Sequence, residues 1–266
     1  MFQNTNAKSS LRIGTSGYSY EDWKNHFYLP DIPKQQMLNF YCRYFPAVEI
    51  NSTYYKIPNQ NSIQRFHEKT PPDFDFIIKV NRETTHNRRE NEQAMKQLAG
   101  VLQPLAEAGK LKGLLAQFPY SFKNNEANRR YLVQTKKYAM QHPLFVEFRN
   151  DSWNIPQLAG FLEENNIGYV NVDEPALKGL LPAQTLSTTP TGYIRFHGRN
   201  AHTWWSGMGS ERYDYLYSDN ELKSWVSNIA AIMRKTRKTY IFFNNHPRGQ
   251  AIRNAQTMMK ILDEQL

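Results

Sequence analysis

Tyr193-Ile194-Arg195-Phe196-His197-Gly198 has the pattern of a short buried strand that stops at a glycine. Successive side chains of a strand point to opposite faces, so Ile194 and Phe196 share one face while Arg195 and His197 share the other. We expect the apolar face to point outward. A cation and an imidazole at the carboxyl end of a strand are an unusual choice for filling space, and they are well suited to holding an anion.

Seven other segments repeat this pattern of a short apolar strand followed by polar residues. The eight predicted strands cover about 11–13, 47–50, 74–80, 114–118, 144–149, 168–172, 193–197 and 240–243. Predicted helices separate nearly all of them, at about 35–45, 62–69, 92–108, 126–140, 156–165, 219–234 and 250–262, the sixth beginning at an Asp219 cap. The connection 174–190 is expected to be irregular.

This alternation predicts an α/β fold. The seven steps between Gly14 and Asn245 average about 33 residues, which suits a βα unit. Eight such units predict a single (β/α)8 TIM-type barrel, with eight parallel strands inside an outer ring of helices, as one domain over residues 1–266. A doubly wound open sheet is the alternative, because periodicity cannot show closure. The chain has no Gly-x-Gly-x-x-Gly or Walker-type loop, which weakens that alternative.

Composition limits the possible partners. Lys and Arg number 33 against 24 Asp and Glu, and the net charge of +9 favours a phosphorylated metabolite, nucleic acid or an acidic surface, although many proteins are this basic without such a partner. The single cysteine excludes a disulfide or a cysteine-based zinc site within one chain. No apolar run is long enough for a membrane span, and residues 1–10 lack the apolar region of a signal peptide. We therefore expect a cytoplasmic protein without a membrane partner.

Polar side chains follow every predicted strand, and in a barrel the carboxyl ends of the strands form the active-site face. These residues are Ser16, Glu49, Asn51, Lys79, Gln117, Glu147, Arg149, Asp173, Arg195, His197, Asn244 and Asn245.

Roles for these residues follow from their chemistry. We predict His197 as the general acid or base, because its ordinary pKa lies nearest neutrality, with Glu49, Glu147 and Asp173 as its catalytic partners. The remaining residues would bind substrate: Arg149 and Arg195 would grip a carboxylate or phosphate with Lys79 nearby, while Ser16, Asn51, Gln117, Asn244 and Asn245 would fix hydroxyl groups or a water.

Two other interpretations of the same residues stay open. The acidic and basic groups could neutralise one another as a structural ion-pair network. Alternatively, Glu49, Glu147, Asp173 and His197 would suit Mg²⁺ or Mn²⁺ better than Zn²⁺. Three nearby cations would repel a divalent ion, so no metal is predicted, and no motif indicates a cofactor.

Aromatic residues crowd the loops at the same predicted face: Tyr18, Trp23, Tyr54, Tyr55, Trp153, Trp204 and Trp205. They could plug the top of the barrel or form a stacking wall for a sugar ring or a base, with Tyr18, Trp23 and Tyr55 contacting the ligand. The long loop 199–218, which contains Gly207 and Gly209, could close as a lid.

The motifs together resemble the YecE-like family, a domain of unknown function (number seventy-two). The matching stretches are Ile13-Gly14-Thr15-Ser16-Gly17-Tyr18 with Trp23, Val48-Glu49-Ile50-Asn51-Ser52-Thr53-Tyr54-Tyr55, Lys79, Thr85-His86, Gln117-Phe118-Pro119, Val146-Glu147-Phe148-Arg149 with Trp153, Asp173, Arg195-Phe196-His197-Gly198, Tyr217-Ser218, and Phe243-Asn244-Asn245 with Ala251 and Asn254-Ala255. The resemblance implies a TIM-type barrel but supplies neither a reaction nor catalytic residues.

The residues themselves favour an enzyme of hydrolase, lyase or isomerase type that uses acid–base chemistry on a small anionic, possibly phosphorylated, substrate. The alternatives are a protein that binds or processes nucleic acid, and a ligand-binding module without catalysis. The oligomeric state is left open.

Overall fold

Eight parallel strands close into a barrel in the order of the chain. The computed structural model describes residues 10–206 and 209–266. The strands are β1 (Ser10–Ser16), β2 (Ala47–Ile50), β3 (Asp75–Lys79), β4 (Leu111–Gln117), β5 (Leu144–Glu147), β6 (Ile167–Asp173), β7 (Thr191–Phe196) and β8 (Lys238–Phe243). Strand β8 pairs with β1 from Ser10 opposite Lys238 to Thr15 opposite Phe243, so the sheet has no open edge. The predicted barrel is confirmed, and the open sheet is excluded.

The helices surround the barrel. They are α1 (Met37–Tyr41), α2 (Gln60–Glu68), α3 (Asn91–Val101), α4 (Gln103–Glu107), α5 (Glu126–Tyr138), α6 (Leu158–Glu164), α7 (Asp219–Lys223), α8 (Val226–Lys235) and α9 (Gln250–Gln265). Between β6 and β7 the described chain contains no helix, as expected for the connection 174–190.

Two predicted helices are each divided. The segment 92–108 forms α3 and α4, and Pro104 lies in the first turn of α4, where a residue without an N–H group is tolerated. The segment 219–234 forms α7 and α8. Its predicted Asp219 cap is wrong, because Ser218 is the cap. The Ser218 hydroxyl accepts from the Glu221 N–H, and the Glu221 carboxylate accepts from the Ser218 N–H at 2.8 Å, which is a capping box.

The core has two parts separated by the strands. Ile194 and Phe196 belong to the large outer cluster between strands and helices, as predicted for this face. The inner cluster fills the lower barrel with nine residues: Ala47, Ile77, Leu115, Phe145, Val170, Val172, Tyr193, Tyr240 and Phe242. The next inward position along β2, β3, β4, β5 and β7 is polar, so a charged layer lies above an apolar one.

Candidate active site at the carboxyl end of the barrel

Arg195 lies at the centre of this polar layer with none of its surface exposed. Its guanidinium donates to Glu49 Oε1 at 2.6 Å and to Glu147 Oε2, which joins β7 to β2 and β5. Longer contacts of 3.4 Å reach Ser16 Oγ and Gln117 Oε1. One buried cation is therefore neutralised by two buried carboxylates, which satisfies the condition for burying charge inside a protein.

Arg149 extends the network toward the mouth of the barrel. Its guanidinium donates to Glu147 Oε1 at 2.8 Å and to the Glu174 carboxylate, and it lies 5.3 Å from the centre of the Trp204 ring. Burial raises the pKa of Glu174 to about 7 against the opposing effect of Arg149. Burial also opposes ionisation of Glu147, but Arg195, Arg149 and His197 outweigh it and hold the pKa of Glu147 well below its usual range.

His197 is enclosed by this network and is fully buried. The amide nitrogen of Asn244 lies 3.0 Å from its Nδ1, and its Nε2 lies 3.1 Å from both Glu147 Oε1 and a guanidinium nitrogen of Arg149. Burial, followed by the charge of Arg149, lowers the pKa of His197 to about 3. The prediction of an imidazole that titrates near neutral pH is therefore wrong, because two guanidinium groups and the dry surroundings disfavour a further positive charge.

A cavity of about 750 Å³ opens above the network, a size typical of small-molecule sites. It is lined by Gly17, Tyr18, Ser19, Tyr20, Lys34, Ile50, Asn51, Ser52, Tyr54, Tyr55, Phe66, Lys79, His86, Gln117, Gly209, Arg212, Tyr213, Asn244 and His246. Lys34, Lys79 and Arg212 bring positive charge to it. Among the described residues of its lining there is no Asp or Glu, so the walls favour an anion.

Lys79 connects the cavity to the network below it. The residue ends β3, and its Nζ donates to Gln117 Oε1 at 2.8 Å and lies 4.8 Å from the centre of the Tyr54 ring. Burial and the charge of Arg195 lower the pKa of Lys79 to about 7, with partial compensation from Glu147 and Glu49. Lys79 is thus the cavity residue whose charge changes near neutral pH.

The structure distributes the predicted site residues over three places. Tyr18, Asn51, Tyr55, Lys79, Gln117 and Asn244 line the cavity. Ser16, Glu49, Glu147, Arg149, Arg195 and His197 form the network beneath it. Trp23, Asp173 and Asn245 belong to neither group.

Asp173 and Asn245 point to the outer side of the barrel. Asp173 accepts from the indole of Trp225 at 2.6 Å and from Arg199 at 2.6 and 2.9 Å. Asn245 donates to Asn254 Oδ1 at 2.8 Å. Both residues are one position out of step with the inward residues of their strands, Val172 and Asn244. The predicted catalytic role of Asp173 and the predicted substrate-binding role of Asn245 are therefore wrong.

The predicted aromatic wall is only partly present. Trp23 and Trp153 are fully buried, and each indole donates to a backbone carbonyl at 2.7 Å, of His246 and Phe122 respectively. These two residues pack the top of the barrel, which is the alternative interpretation given above. A buried indole needs apolar neighbours for its ring and an acceptor for its N–H group, and both residues have them. Trp205 is 55% exposed and meets Tyr120 edge to face at 5.0 Å. Gly207, one of the two glycines named in the suggested lid loop 199–218, lies outside the described residues.

Several cavity residues were not predicted as site residues. Tyr20 and His246 stack with ring centres 4.5 Å apart, and His86 lies beside Tyr54 with ring centres at 5.0 Å. Burial and the charge of Lys79 lower the pKa of His86 to about 4. These residues, with Lys34 and Arg212, lie in connections that follow strands, and that position was the available signal.

The four donors considered for a metal do not converge, because Asp173 faces away from the other three. Within residues 10–206 and 209–266 no group of three or more His, Cys, Asp and Glu side chains is arranged to hold a metal ion. In the same residues no helix is long and apolar enough to cross a membrane.

Comparisons with known proteins agree with this architecture. The family model described as "Protein of unknown function DUF72" matches residues 12–266. The UPF0759 protein YunF of Bacillus subtilis (strain 168) is 30% identical over 270 residues, which are 95% of each chain. A crystal structure of a DUF72 family protein from Thermotoga maritima is 40% identical, covers 96% of this chain and 99% of its own, and has a TM-score of 0.89. The 3-keto-D-glucoside 4-epimerase of Escherichia coli is 12% identical, with 95% and 99% coverage and a TM-score of 0.53, and shows the shared fold alone.

Proposed function

The chain belongs to the DUF72 family, and from its site we propose an enzyme that acts on a small anionic substrate in the cavity above the barrel. The observation that carries this proposal is the charge of the lining. Lys34, Lys79 and Arg212 face the cavity, while the nearby carboxylates Glu49 and Glu147 lie beneath it and are paired with arginines. A phosphate or carboxylate group would find cations there without a competing anion.

The anion would be held by residues other than the two arginines predicted from the sequence. Arg195 has no exposed surface and donates to two carboxylates, and Arg149 also contacts two. Neither guanidinium has a free pair of donors directed at the cavity. Arg212 is half-buried, and no carboxylate of the described residues lies within salt-bridge distance of it. We therefore assign the grip to Arg212, with Lys34 at the rim.

The reaction we favour is acid–base chemistry of the hydrolase, lyase or isomerase type. Lys79 would transfer the proton, since an amine with a pKa of about 7 can both accept and donate a proton near neutral pH. The network below would serve to hold Gln117 and Lys79 in place and to keep the amine's charge disfavoured through Arg195. In this scheme His197 is a positioning residue that stays neutral.

The proposal is tested by binding of inorganic phosphate, pyrophosphate and glycolaldehyde phosphate, measured by isothermal titration calorimetry. We expect Arg212→Gln to weaken binding roughly tenfold, the effect of losing one charge-assisted contact. The matched control is Arg234→Gln, which removes an exposed arginine in the last turn of α8 that does not line the cavity, and should bind as the wild type does. Equal binding by Arg212→Gln, or no binding of any of these anions by the wild type, would refute the proposal.

Nucleic acid remains the competing ligand, and the same experiment separates it. Binding of short oligonucleotides alone, with log affinity falling by roughly one unit per log unit of salt for each phosphate contacted, would replace the small anion with a nucleic acid.

A further inference from the structure

We propose that Lys79 forms a covalent imine with an aldehyde or ketone carbon of the substrate. This inference rests on the proposed function and specifies its substrate class, a carbonyl compound that carries a phosphate or carboxylate group. It concerns the environment of one partly buried amine, which differs from that of the buried lysine Lys110.

The Lys79 amine has few acceptors. Gln117 Oε1 is its one hydrogen-bond acceptor among the described residues, and none of their carboxylates lies within salt-bridge distance. Lys110, which is buried, donates at 2.7 to 3.0 Å to the His67 carbonyl, the Thr70 carbonyl and the Thr70 hydroxyl. An ammonium has three donors, so the surroundings of Lys110 suit the charged form and those of Lys79 leave two donors without protein partners. Lys79 also lines a cavity that can hold a substrate.

The electrostatics favour a nucleophile at this position. Burial and the nearby charge of Arg195 disfavour the ammonium, and a pKa of about 7 leaves a large share of the amine neutral at neutral pH. The face of the Tyr54 ring lies 4.8 Å from Nζ, where it would attract a cationic iminium.

The step balances without an oxidant or reductant. The lone pair of the neutral amine forms the N–C bond, and the carbonyl π electrons move to oxygen, which takes up a proton. The nitrogen loses one proton to give a neutral carbinolamine. A second proton converts its hydroxyl group into water, which leaves with the C–O bonding pair, while the nitrogen lone pair forms the C=N bond. The products are a protonated imine and one water, and the net reaction consumes one proton. The iminium then withdraws electrons from the neighbouring carbon, which assists lyase or isomerase chemistry, and while the imine exists this covalent role replaces the proton transfer assigned to Lys79 above.

The experiment traps the imine by reduction. The full chain is incubated with glycolaldehyde phosphate at pH 7.5, reduced with sodium borohydride and analysed by intact mass and peptide mapping. We expect one adduct on Lys79, formed roughly a hundredfold faster than on exposed lysines, whose ordinary pKa of about 10.4 leaves little neutral amine. Unphosphorylated glycolaldehyde should need at least tenfold more reagent for the same yield, because it lacks the anion.

Two variants test the chemical mechanism of adduct formation as well as the identity of the modified lysine. Lys79→Arg retains a cation but cannot form an imine, and it should give no adduct at this position while folding normally. Gln117→Glu places a carboxylate where the acceptor oxygen lies and should raise the pKa of Lys79. Trapping should then fall at least tenfold at pH 7.5 and recover at pH 10. Adducts distributed over lysines according to their exposure, or an unmodified Lys79 in the wild type, would overturn the imine.

Failure of the imine and failure of the proposed function give different results. If anions bind in an Arg212-dependent manner but Lys79 is not modified, the cavity is retained as an anion site and the covalent step is rejected. If neither occurs, both are rejected.

Discussion

His197 illustrates how surroundings change the chemistry of one residue. Its imidazole was the best sequence-based candidate for acid–base catalysis, yet its pKa is lowered to about 3 by burial and Arg149. Lys79 was predicted only to bind substrate, and its pKa falls to about 7 for related reasons. The sequence predicts that Lys79 and His197 both lie at the carboxyl end of the barrel. It does not show how deeply each is buried, and burial decides which of the two titrates near neutral pH.

The lowered pKa of His197 predicts how stability depends on pH. The unfolded chain binds a proton at His197 near pH 6.5, whereas the folded protein does not until about pH 3, so the free energy of unfolding falls as pH drops through this window. The contribution is at most about 1.4 kcal/mol per pH unit. His197→Gln removes this titration, and its free energy of unfolding should fall less steeply than that of the wild type between pH 6 and pH 5, measured by urea denaturation.

The comparison has an internal control. Lys79→Met should run parallel to the wild type in the same pH interval, because the Lys79 amine is protonated in both folded and unfolded states well below pH 7. If His197→Gln has the same slope as the wild type, His197 is already charged in the folded protein and the neutral assignment is wrong.

At the scale of the element, the faces of the strands decide which predicted residues reach the site. Strands of a parallel barrel are covered on both sides and therefore show little polar and apolar alternation. In β6, Val170 and Val172 face the interior, while Asp173 faces outward and contacts Trp225. The residues of β6 are apolar on both faces, so the sequence does not show which face points inward. The eight units and their approximate positions could be predicted from the sequence. Closure was predicted from the number of units, because periodicity alone does not show it. The inward faces of β6 and β8 could not be predicted, because they depend on pairing between distant strands.

Loops were less predictable than strands for a related reason. Arg212 reaches the cavity through the long connection after β7, and Tyr20 and His246 stack on one another from two different connections. Tertiary packing of this kind sets the conformation of such segments. By contrast, Asn51, Lys79, Gln117 and Asn244 directly follow or end a strand, and their placement in the cavity agrees with the strand-end rule.

Gly168 provides a test of packing inside β6. A Cβ atom at this position would lie 2.3 Å from Phe145 Cδ1, in the interior of the barrel, where a glycine therefore leaves room for the ring. Gly168→Ala should reduce the free energy of unfolding by about 1–3 kcal/mol, the usual cost of overpacking a core. Urea denaturation followed by circular dichroism measures this loss.

Gly160→Ala is the matched control. Gly160 lies in α6, and a Cβ atom there would meet nothing within 4 Å, so the alanine should be neutral or stabilise the helix by up to about 1 kcal/mol. Equal effects of the two substitutions would show that Phe145 moves aside without cost.

At the scale of the whole molecule, Arg195 joins distant parts of the chain through buried charges. Glu49 in β2, Glu147 in β5 and Arg195 in β7 meet inside the barrel, and Tyr193 also donates to Glu49. Removing the cation alone leaves Glu49 buried without a counter-charge. We expect Arg195→Met to cost about 3–5 kcal/mol of unfolding free energy, as measured in chemical denaturation.

The double variant Arg195→Met with Glu49→Gln separates two causes of this loss of stability. One is the loss of the guanidinium that bridges the strands, and the other is the cost of leaving the Glu49 carboxylate buried without a counter-charge. The glutamine can still accept from Tyr193, and Glu147 keeps Arg149 as its partner, so the double variant should recover at least half of the lost stability. A double variant as unstable as Arg195→Met would mean that the guanidinium itself, by bridging the strands, supplies the stability.

The same denaturation curves test the proposal that the barrel is one domain. Because β1 pairs with β8 and the network spans strands far apart in sequence, separating any part breaks the sheet elsewhere. Fluorescence of the tryptophans, which include buried Trp23 and Trp153 on different connections, should therefore change at the same urea concentration as circular dichroism.

In Arg195→Met the midpoints of the fluorescence and circular dichroism curves should move together. Two separated transitions in the wild type would show that parts of the barrel unfold independently, and a split only in the variant would show that the buried charges hold those parts together.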